Sequence, residues 1–112
     1  MATDPAFADF VLEQAGGAGA VSTRKMFGEY ALYCDGKVVA LICDDQLFLK
    51  PVPAAVASVD SPVYGPPYPG AKPHLLLSGE LDDPDLLARL IRAVADTLPA
   101  PRPKKPKARK DA

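Results

Sequence analysis

Residues 24–51, RKMFGEYALYCDGKVVALICDDQLFLKP, decide the fold of this chain. Two dipeptides that favour turns, Asp35-Gly36 and Asp44-Asp45, divide the stretch into three largely apolar runs. Asp-Gly is typical of two-residue hairpin loops, because both central residues of a type I′ turn require positive φ. The stretch therefore predicts three strands of an antiparallel meander.

The turns also predict which side chains share a face of this sheet. The expected pairs are Leu32–Val39, Tyr30–Leu41, Ile42–Leu47 and Ala40–Leu49. Because side chains alternate along a strand, two apolar faces result. The face expected beneath the helices carries Ala31, Tyr33, Val38, Ala40, Ile42, Leu47 and Leu49. The other face carries Cys43 and the candidate protein-interaction residues Tyr30, Leu32, Val39, Leu41 and Phe48.

Helices are predicted before and after the strands. Asp4 is suited to cap the first helix, Pro5 to begin it and Gly16-Gly17 to end it. Asp83 is suited to cap the last helix, which Pro99 stops. The apolar stripes expected to face the sheet are Phe7, Phe10 and Val11 in the first helix and Leu87, Leu90, Ile91, Val94 and Leu98 in the last.

The sequence between the meander and the last helix is rich in proline. Residues 53–58 predict a helix of one or two turns, and residues 74–78 predict a short strand that joins the sheet. Residues 61–73 contain five prolines and two glycines, which predict an extended loop without regular structure. The expected fold is a two-layer α+β domain, with the N- and C-terminal helices packed on one face of an antiparallel sheet.

The charge of the chain is unevenly distributed. Its 112 residues carry a net charge of −1. Residues 99–112 contain six bases and one acid, a balance of +5, whereas residues 1–98 contain seven bases and thirteen acids, a balance of −6. We expect residues 1–98 to form the domain and residues 99–112 a disordered basic tail. The candidate polyanion-binding residues of the tail are Arg102, Lys104, Lys105, Lys107, Arg109 and Lys110.

Cys34 and Cys43 are the two cysteines of the chain. The predicted hairpin places them roughly 15–20 Å apart at the usual rise per residue, whereas a disulfide requires Cα atoms within about 7 Å. Both are therefore expected to be reduced. Two thiols without nearby histidines do not form a typical zinc site, so no metal or cofactor is expected.

The remaining polar residues show no pattern typical of a catalytic centre. His74 is the single histidine, and none of the serines or cysteines lies in a nucleophile motif. The acids Asp82, Asp83 and Asp85 are explained by the start of a helix. We therefore do not expect an enzyme.

The motifs of the meander resemble a known family. They are Arg24-Lys25-Met26-Phe27-Gly28, then Asp35-Gly36, then Asp44-Asp45 with Leu47, Leu49 and Lys50. Together they are similar to the TfoX N-terminal-domain family, bacterial competence regulators also known as Sxy. The resemblance implies an α+β domain without a known catalytic centre, here as a single-domain short form. It also implies a role in transcription or competence regulation, which complete members perform alongside the cyclic-AMP receptor protein.

A sheet that is apolar on both faces raises the question of what covers the second face. We expect this face to bind a protein partner or a second copy in a homodimer, since soluble monomers seldom expose large apolar patches. The alternative is that loop 61–73 folds over it with Tyr64 and Tyr68. These two tyrosines and Lys72 are also the best candidates for binding a small ligand.

Two functions from different classes remain open. The first is a small cytoplasmic regulatory or adaptor domain that acts through protein contacts. The second is a nucleic-acid-associated protein whose tail binds phosphates non-specifically, because the tail has no aromatic residue to stack on bases. No apolar run is long enough to span a bilayer, and the first residues lack the basic region of a signal peptide.

Overall fold

The computed structural model describes residues 3–99. The strands are β1 (Val21–Met26), β2 (Glu29–Cys34), β3 (Lys37–Cys43), β4 (Gln46–Leu49), β5 (Tyr64–Gly65) and β6 (His74–Leu77). The helices are α1 (Pro5–Gln14), α2 (Pro53–Val56) and α3 (Pro84–Thr97), with 3₁₀ turns at Gly16–Ala18 and Gly79–Asp82. The strands form one antiparallel sheet in the order β1-β2-β3-β4-β6-β5. The predicted α+β fold is confirmed.

Three two-residue turns connect β1 to β4. The turn residues Phe27-Gly28, Asp35-Gly36 and Asp44-Asp45 all have positive φ, between 49° and 83°, as type I′ hairpins require. The sequence predicted one run from residue 24 to 34 with a bend or bulge at Gly28, and this was wrong, because Phe27-Gly28 is a full turn that separates β1 from β2. A bulky residue with positive φ is uncommon, so phenylalanine at position 27 did not indicate a turn.

A β-bulge in β3 changes the register of the hairpin formed by β2 and β3. Tyr33 pairs with Val38, but the next pair is Leu32 with Ala40, so Val39 is an extra residue on β3. The predicted pairings of Leu32 with Val39 and of Tyr30 with Leu41 were therefore wrong, since Tyr30 pairs with Ile42. A run of apolar residues gives no sign of a bulge, because the residue added is apolar as well. The hairpin formed by β3 and β4 has the predicted pairs Ala40–Leu49 and Ile42–Leu47.

The bulge redistributes side chains between the faces of the sheet. Leu32 and Val39 are fully buried in the core beneath the helices. Their assignment to the candidate protein-interaction face was wrong, because that assignment assumed unbroken alternation along β3. For the same reason the predicted position of Ala31 beneath the helices was wrong, since Ala31 pairs with Leu41 on the opposite face. The large core side chains contributed by the sheet are Leu32, Val39, Ile42, Leu47, Leu49, Leu75 and Leu77.

The caps of both long helices are those predicted. The Asp4 carboxylate accepts from the Ala6 amide at 2.9 Å, and the Asp83 carboxylate accepts from the Leu86 amide at 3.2 Å. The predicted stripe of α1 was wrong at Phe10, whose side chain is 38% exposed. In α1 the residues buried against the core are Ala8 and Val11, and in α3 they are Leu87, Leu90, Ile91, Val94 and Ala95.

The turn between β2 and β3 is attached to the C-terminal end of α3. Lys37 Nζ donates to the carbonyl oxygens of Ala95 at 2.6 Å and Leu98 at 3.2 Å. Arg92 Nη1 lies 2.8 Å from Asp35 Oδ2. A cation at a helix C-terminus is favourable because it faces the negative end of the helix dipole. These contacts fix α3 over the sheet.

Loop 61–73 contains a short strand that the sequence did not predict. Tyr64 and Gly65 pair with β6, and the Leu76 amide donates to the Val63 carbonyl oxygen at 2.8 Å. The prolines argued against a strand, because proline lacks the amide hydrogen that pairs one strand with the next. Here they lie on either side of the two paired residues.

Candidate functional site

The face of the sheet opposite the helices is the candidate site, and we call it the open face. Hydrogen-bonded strands align one row of its residues: Arg24, Ala31, Leu41, Phe48 and Leu76. Leu41 and Phe48 are the members of the candidate protein-interaction set that lie in this row. Tyr30 is half-buried and packs against the core, although it also reaches the edge of the open face.

The proline-rich loop covers one part of the open face. Phe48 is 4% exposed, and it lines a groove together with Pro66, Pro67, Tyr68 and Pro69. The alternative that the loop covers the apolar face therefore holds at Phe48. It does not hold at the end nearest the turn between β1 and β2, where apolar surface remains exposed.

An apolar groove lies between the loop and that turn. Its volume is about 450 Å³, and it is lined by Met26, Phe27, Glu29, Tyr30, Leu41, Cys43 and Tyr68. Glu29 is the single charged residue of this lining. A groove with aromatic and aliphatic walls and one charged group is suited to an apolar side chain from another molecule.

Phe27 stands at the rim of this groove. Its side chain is fully exposed, at 101% of the reference value, and the neighbouring Met26 is 39% exposed. The residue also has φ of 49°, a left-handed conformation that is unfavourable for a bulky L-residue. Sequence reasoning missed Phe27 as a functional residue, although the glycine that follows it is the signal of a hairpin turn.

Hydrogen bonds from the first described residues hold the Phe27-Gly28 turn. The Thr3 amide donates to the Gly28 carbonyl oxygen at 3.0 Å, and Thr3 Oγ1 donates to Glu29 Oε1 at 2.6 Å. The same carboxylate oxygen accepts from the Asp44 amide at 3.1 Å. These bonds join two hairpin turns, so Phe27 is presented from a rigid support.

Bases precede the Phe27-Gly28 turn along β1, and acids lie at or beside the groove. Arg24 and Lys25 are exposed on the edge strand β1, and the Arg24 guanidinium carbon lies 6.0 Å from the centre of the Tyr33 ring. Glu29 lines the groove, and the exposed Asp44 lies beside it. This region therefore combines a basic edge strand, an exposed aromatic residue and an apolar groove that contains one acid.

The thiol in the groove, that of Cys43, is expected to be unreactive at neutral pH. Burial raises the pKa of Cys43 to about 11, and the charges of Glu29 and Asp44 act in the same direction. Burial and then Asp35 also raise the pKa of Cys34. Both cysteines are free, as predicted, and both are protonated at neutral pH. A protonated thiol is a poor nucleophile and a poor metal ligand.

The described residues supply neither a metal centre nor a membrane span. Among residues 3–99 no three side chains of His, Cys, Asp or Glu lie together in a way that could hold a metal ion. Within the same range, each helix is too short or too polar to cross a bilayer. The six basic tail residues predicted to bind polyanions lie outside the described part of the chain.

Fold and site together define a small α+β domain that buries one sheet face beneath helices and displays an apolar groove on the other. Residues 13–97 match the family model of the TfoX N-terminal domain. The chain therefore belongs to the TfoX N-terminal domain family. It is similar to an uncharacterized 12.7 kDa protein in the trpE 5′ region of Spirochaeta aurantia, with 44% identity over 107 residues, 96% of this chain and 93% of that protein.

Proposed function

We propose that this protein is a small cytoplasmic regulatory domain that acts in transcription or competence control through protein contacts at its open face. Membership of the TfoX N-terminal domain family supports the regulatory role. The observation that carries the proposal is Phe27, a fully exposed phenylalanine on a braced hairpin beside an apolar groove.

Phe27 is unfavourable for the isolated domain in two ways. Its ring is left in water, although burying such a side chain contributes about 1.5–3 kcal/mol. Its positive φ is also strained, whereas asparagine or glycine adopts that conformation readily. A residue that is unfavourable in the free domain fits a role in binding, since aromatic anchors dominate the energetics of protein interfaces.

The proposal does not include catalysis. The groove thiol is protonated because burial raises its pKa. Glu29 accepts hydrogen bonds from Thr3 and the Asp44 amide, which gives this carboxylate a structural role. These properties support a binding surface and give no support to a nucleophile or general base.

A chromosomal substitution tests the regulatory role. In the native host, Phe27→Asn removes the ring and leaves an Asn-Gly turn, so the domain should remain folded. We expect its transcript profile to match that of a gene deletion. The control is Phe10→Gln, which removes a partly exposed phenylalanine from α1 and should match the wild type. A deletion that leaves transcripts unchanged would contradict the regulatory role.

A second candidate function is non-specific binding to nucleic acid. The observation that favours it is the separation of charge, +5 in residues 99–112 and −6 in residues 1–98. Six bases predict a slope of at most about −5 in a log–log plot of affinity against salt. Replacing the six bases with glutamine in the full chain should abolish DNA binding. Sequence preference that persists at high salt would contradict this function.

A further inference from the structure

We propose that the apolar groove is the binding site for Phe27 of a second copy of this chain, in a two-fold dimer in which each copy inserts Phe27 into the other. The inference rests on the proposed function, because it names the partner of the same surface. It differs from stacking of two flat sheet faces, since each contact joins a protruding ring to a concave site.

The dimensions and chemistry of the two parts match. The groove has a volume of about 450 Å³, enough for an aromatic ring, and its walls include Leu41, Tyr68 and Met26. Phe27 lines the rim of its own groove but remains fully exposed, so its ring leaves that groove open. The groove and the ring that fits it are therefore both available on one surface.

The placement of ring and groove side by side is the arrangement that two-fold symmetry needs. In an isologous dimer the same patch is used on both copies, so a residue that contacts a site on the partner receives the reciprocal contact. Phe27 projects from the edge of the patch that it would bind. Reciprocal insertion of Phe27 therefore gives a closed dimer of two copies, in which both grooves are filled.

Charges carried by the strand before Phe27 and by the groove favour a second copy as the occupant. The strand that leads to Phe27 carries Arg24 and Lys25, whereas the groove region carries Glu29 and Asp44. Insertion of one hairpin therefore brings bases towards acids of the partner. Complementary charges of this kind oppose the general repulsion between two domains that each have a balance of −6.

The hairpin is ready for insertion before the copies meet. The Thr3 amide holds the Gly28 carbonyl, and the Glu29 carboxylate is held by Thr3 and Asp44. Binding then requires little ordering of the turn, which lowers the entropic cost of association. The geometry points to an interface that relies on one rigid aromatic anchor from each copy.

Sedimentation of the full chain tests the dimer. We expect Phe27→Asn to raise the dimer dissociation constant at least about 100-fold, because it removes two buried rings from each dimer. The control Phe10→Gln, on α1, should leave the constant unchanged. A native protein that stays monomeric at about 1 mM, or a Phe27→Asn variant that dimerises as well as the native chain, would overturn the inference.

Nuclear Overhauser measurements on a mixture of labelled and unlabelled native protein locate the contact without any substitution. We expect contacts between Phe27 ring protons of one copy and Leu41 methyl protons of the other. A dimer that shows contacts elsewhere and none between these groups would mean that another surface mediates association, and the inference would be wrong.

Combined results separate this inference from the proposed function. If the native protein is a monomer and Phe27→Asn still reproduces the deletion phenotype, the regulatory surface stands and its partner is another protein. If the variant dimerises normally and its transcripts match the wild type, both proposals fail. If replacing the six tail bases with glutamine shifts the resonances of Leu41 and Tyr68 in a monomer, the chain's own tail occupies the groove and the inference is overturned.

Discussion

Phe27 is the residue on which the proposed binding surface depends. The residue combines a strained backbone with full exposure of its ring, and neither property stabilises the domain. Asp35 and Asp44 occupy equivalent turn positions with φ of 54° and 53°, and aspartate tolerates that conformation far better than phenylalanine. The contrast between the three turns is the observation on which the proposed binding role of Phe27 rests.

We expect Phe27→Asn to raise the free energy of unfolding by up to about 1 kcal/mol, because it relieves a left-handed conformation without removing a buried contact. Urea denaturation at low protein concentration measures this change without a contribution from association. Phe10→Gln is the control and should change stability by less than about 0.5 kcal/mol. A clear loss of stability in Phe27→Asn would mean that the ring supports the fold.

Asp35 should make the domain sensitive to acid. A hydrogen bond from Arg92, followed by one from the Ala20 amide, lowers the pKa of Asp35. Because the pKa is lower in the folded state, the stabilisation is present above the unfolded-state pKa and is lost as pH falls through the folded-state value. Unfolding measured near neutral pH and at about pH 3 should show a smaller loss of stability in Asp35→Asn than in the native chain. An equal effect in the control Asp9→Asn, on α1, would contradict this assignment.

The two thiols should resist modification in the folded protein. Burial raises the pKa of Cys43 to about 11 and also raises that of Cys34, so thiolate is scarce near neutral pH. We expect a disulfide reagent to modify two thiols in denaturant without prior reduction, and to react very slowly in the native state. Rapid reaction of one thiol in native protein would show that its sulfur is accessible to the reagent, and would contradict this prediction.

At the scale of elements, the sequence predicted those that have their own local signals. Helix α3 was predicted because Asp83 caps it and its leucines follow helical spacing. The turns at residues 35–36 and 44–45 were predicted because aspartate and glycine accept positive φ. The bulge at Val39 was not predicted, since Val38, Val39 and Ala40 are equally apolar. Strand β5 forms because its two residues hydrogen-bond to β6. This pairing with a strand later in the chain leaves no pattern in the sequence of residues 61–73.

The contact between the β2–β3 turn and α3 should contribute measurably to stability. Lys37 donates to two carbonyl oxygens at the end of α3. We expect Lys37→Met to lower the free energy of unfolding by about 1 kcal/mol, because the helix terminus loses a cation and two hydrogen bonds. Thermal unfolding measures the effect, and Lys72→Met in the exposed loop is the control. Equal stability of the two variants would show that water replaces the lysine without loss.

The candidate site was predicted in part. Leu41 and Phe48 lie on the open face as expected, because the β3–β4 hairpin has the predicted register. Leu32 and Val39 belong to the core. The extra residue in β3 shifts the register, and it therefore changes which side chains of β2 and β3 share a face of the sheet. Phe27 was missed, since exposure of a turn residue depends on the packing of the hairpin.

On the scale of the whole molecule, the sheet separates two unequal apolar layers. The larger layer contains the helices, and the smaller one lies where Phe48, Pro67 and Tyr68 line a common groove. Residues 3–99 thus leave one region of the open face uncovered, at the groove beside Phe27. The position of that region follows from the loop, which covers Phe48 and whose Tyr68 lines the edge of the groove.

The smaller layer should contribute to global stability. Phe48 is 4% exposed, and its ring lies against Gly65, where an added Cβ would be 3.7 Å away. We expect Phe48→Ala to lower the free energy of unfolding by about 3 kcal/mol, compared with less than about 1 kcal/mol for Phe10→Ala. Chemical denaturation measures both. Similar values for the two variants would mean that the loop does not seal this layer.

The bond from the Thr3 amide to the turn at Gly28 has a practical consequence for handling the protein. A tag or reporter joined ahead of residue 1 is tethered within about 7 Å of Thr3, given the reach of two extended residues. It would therefore crowd the hairpin tip and obstruct whatever approaches Phe27. Affinity capture with the bait fused at its amino end should consequently recover fewer binding proteins than capture with the same bait immobilised through its carboxyl end.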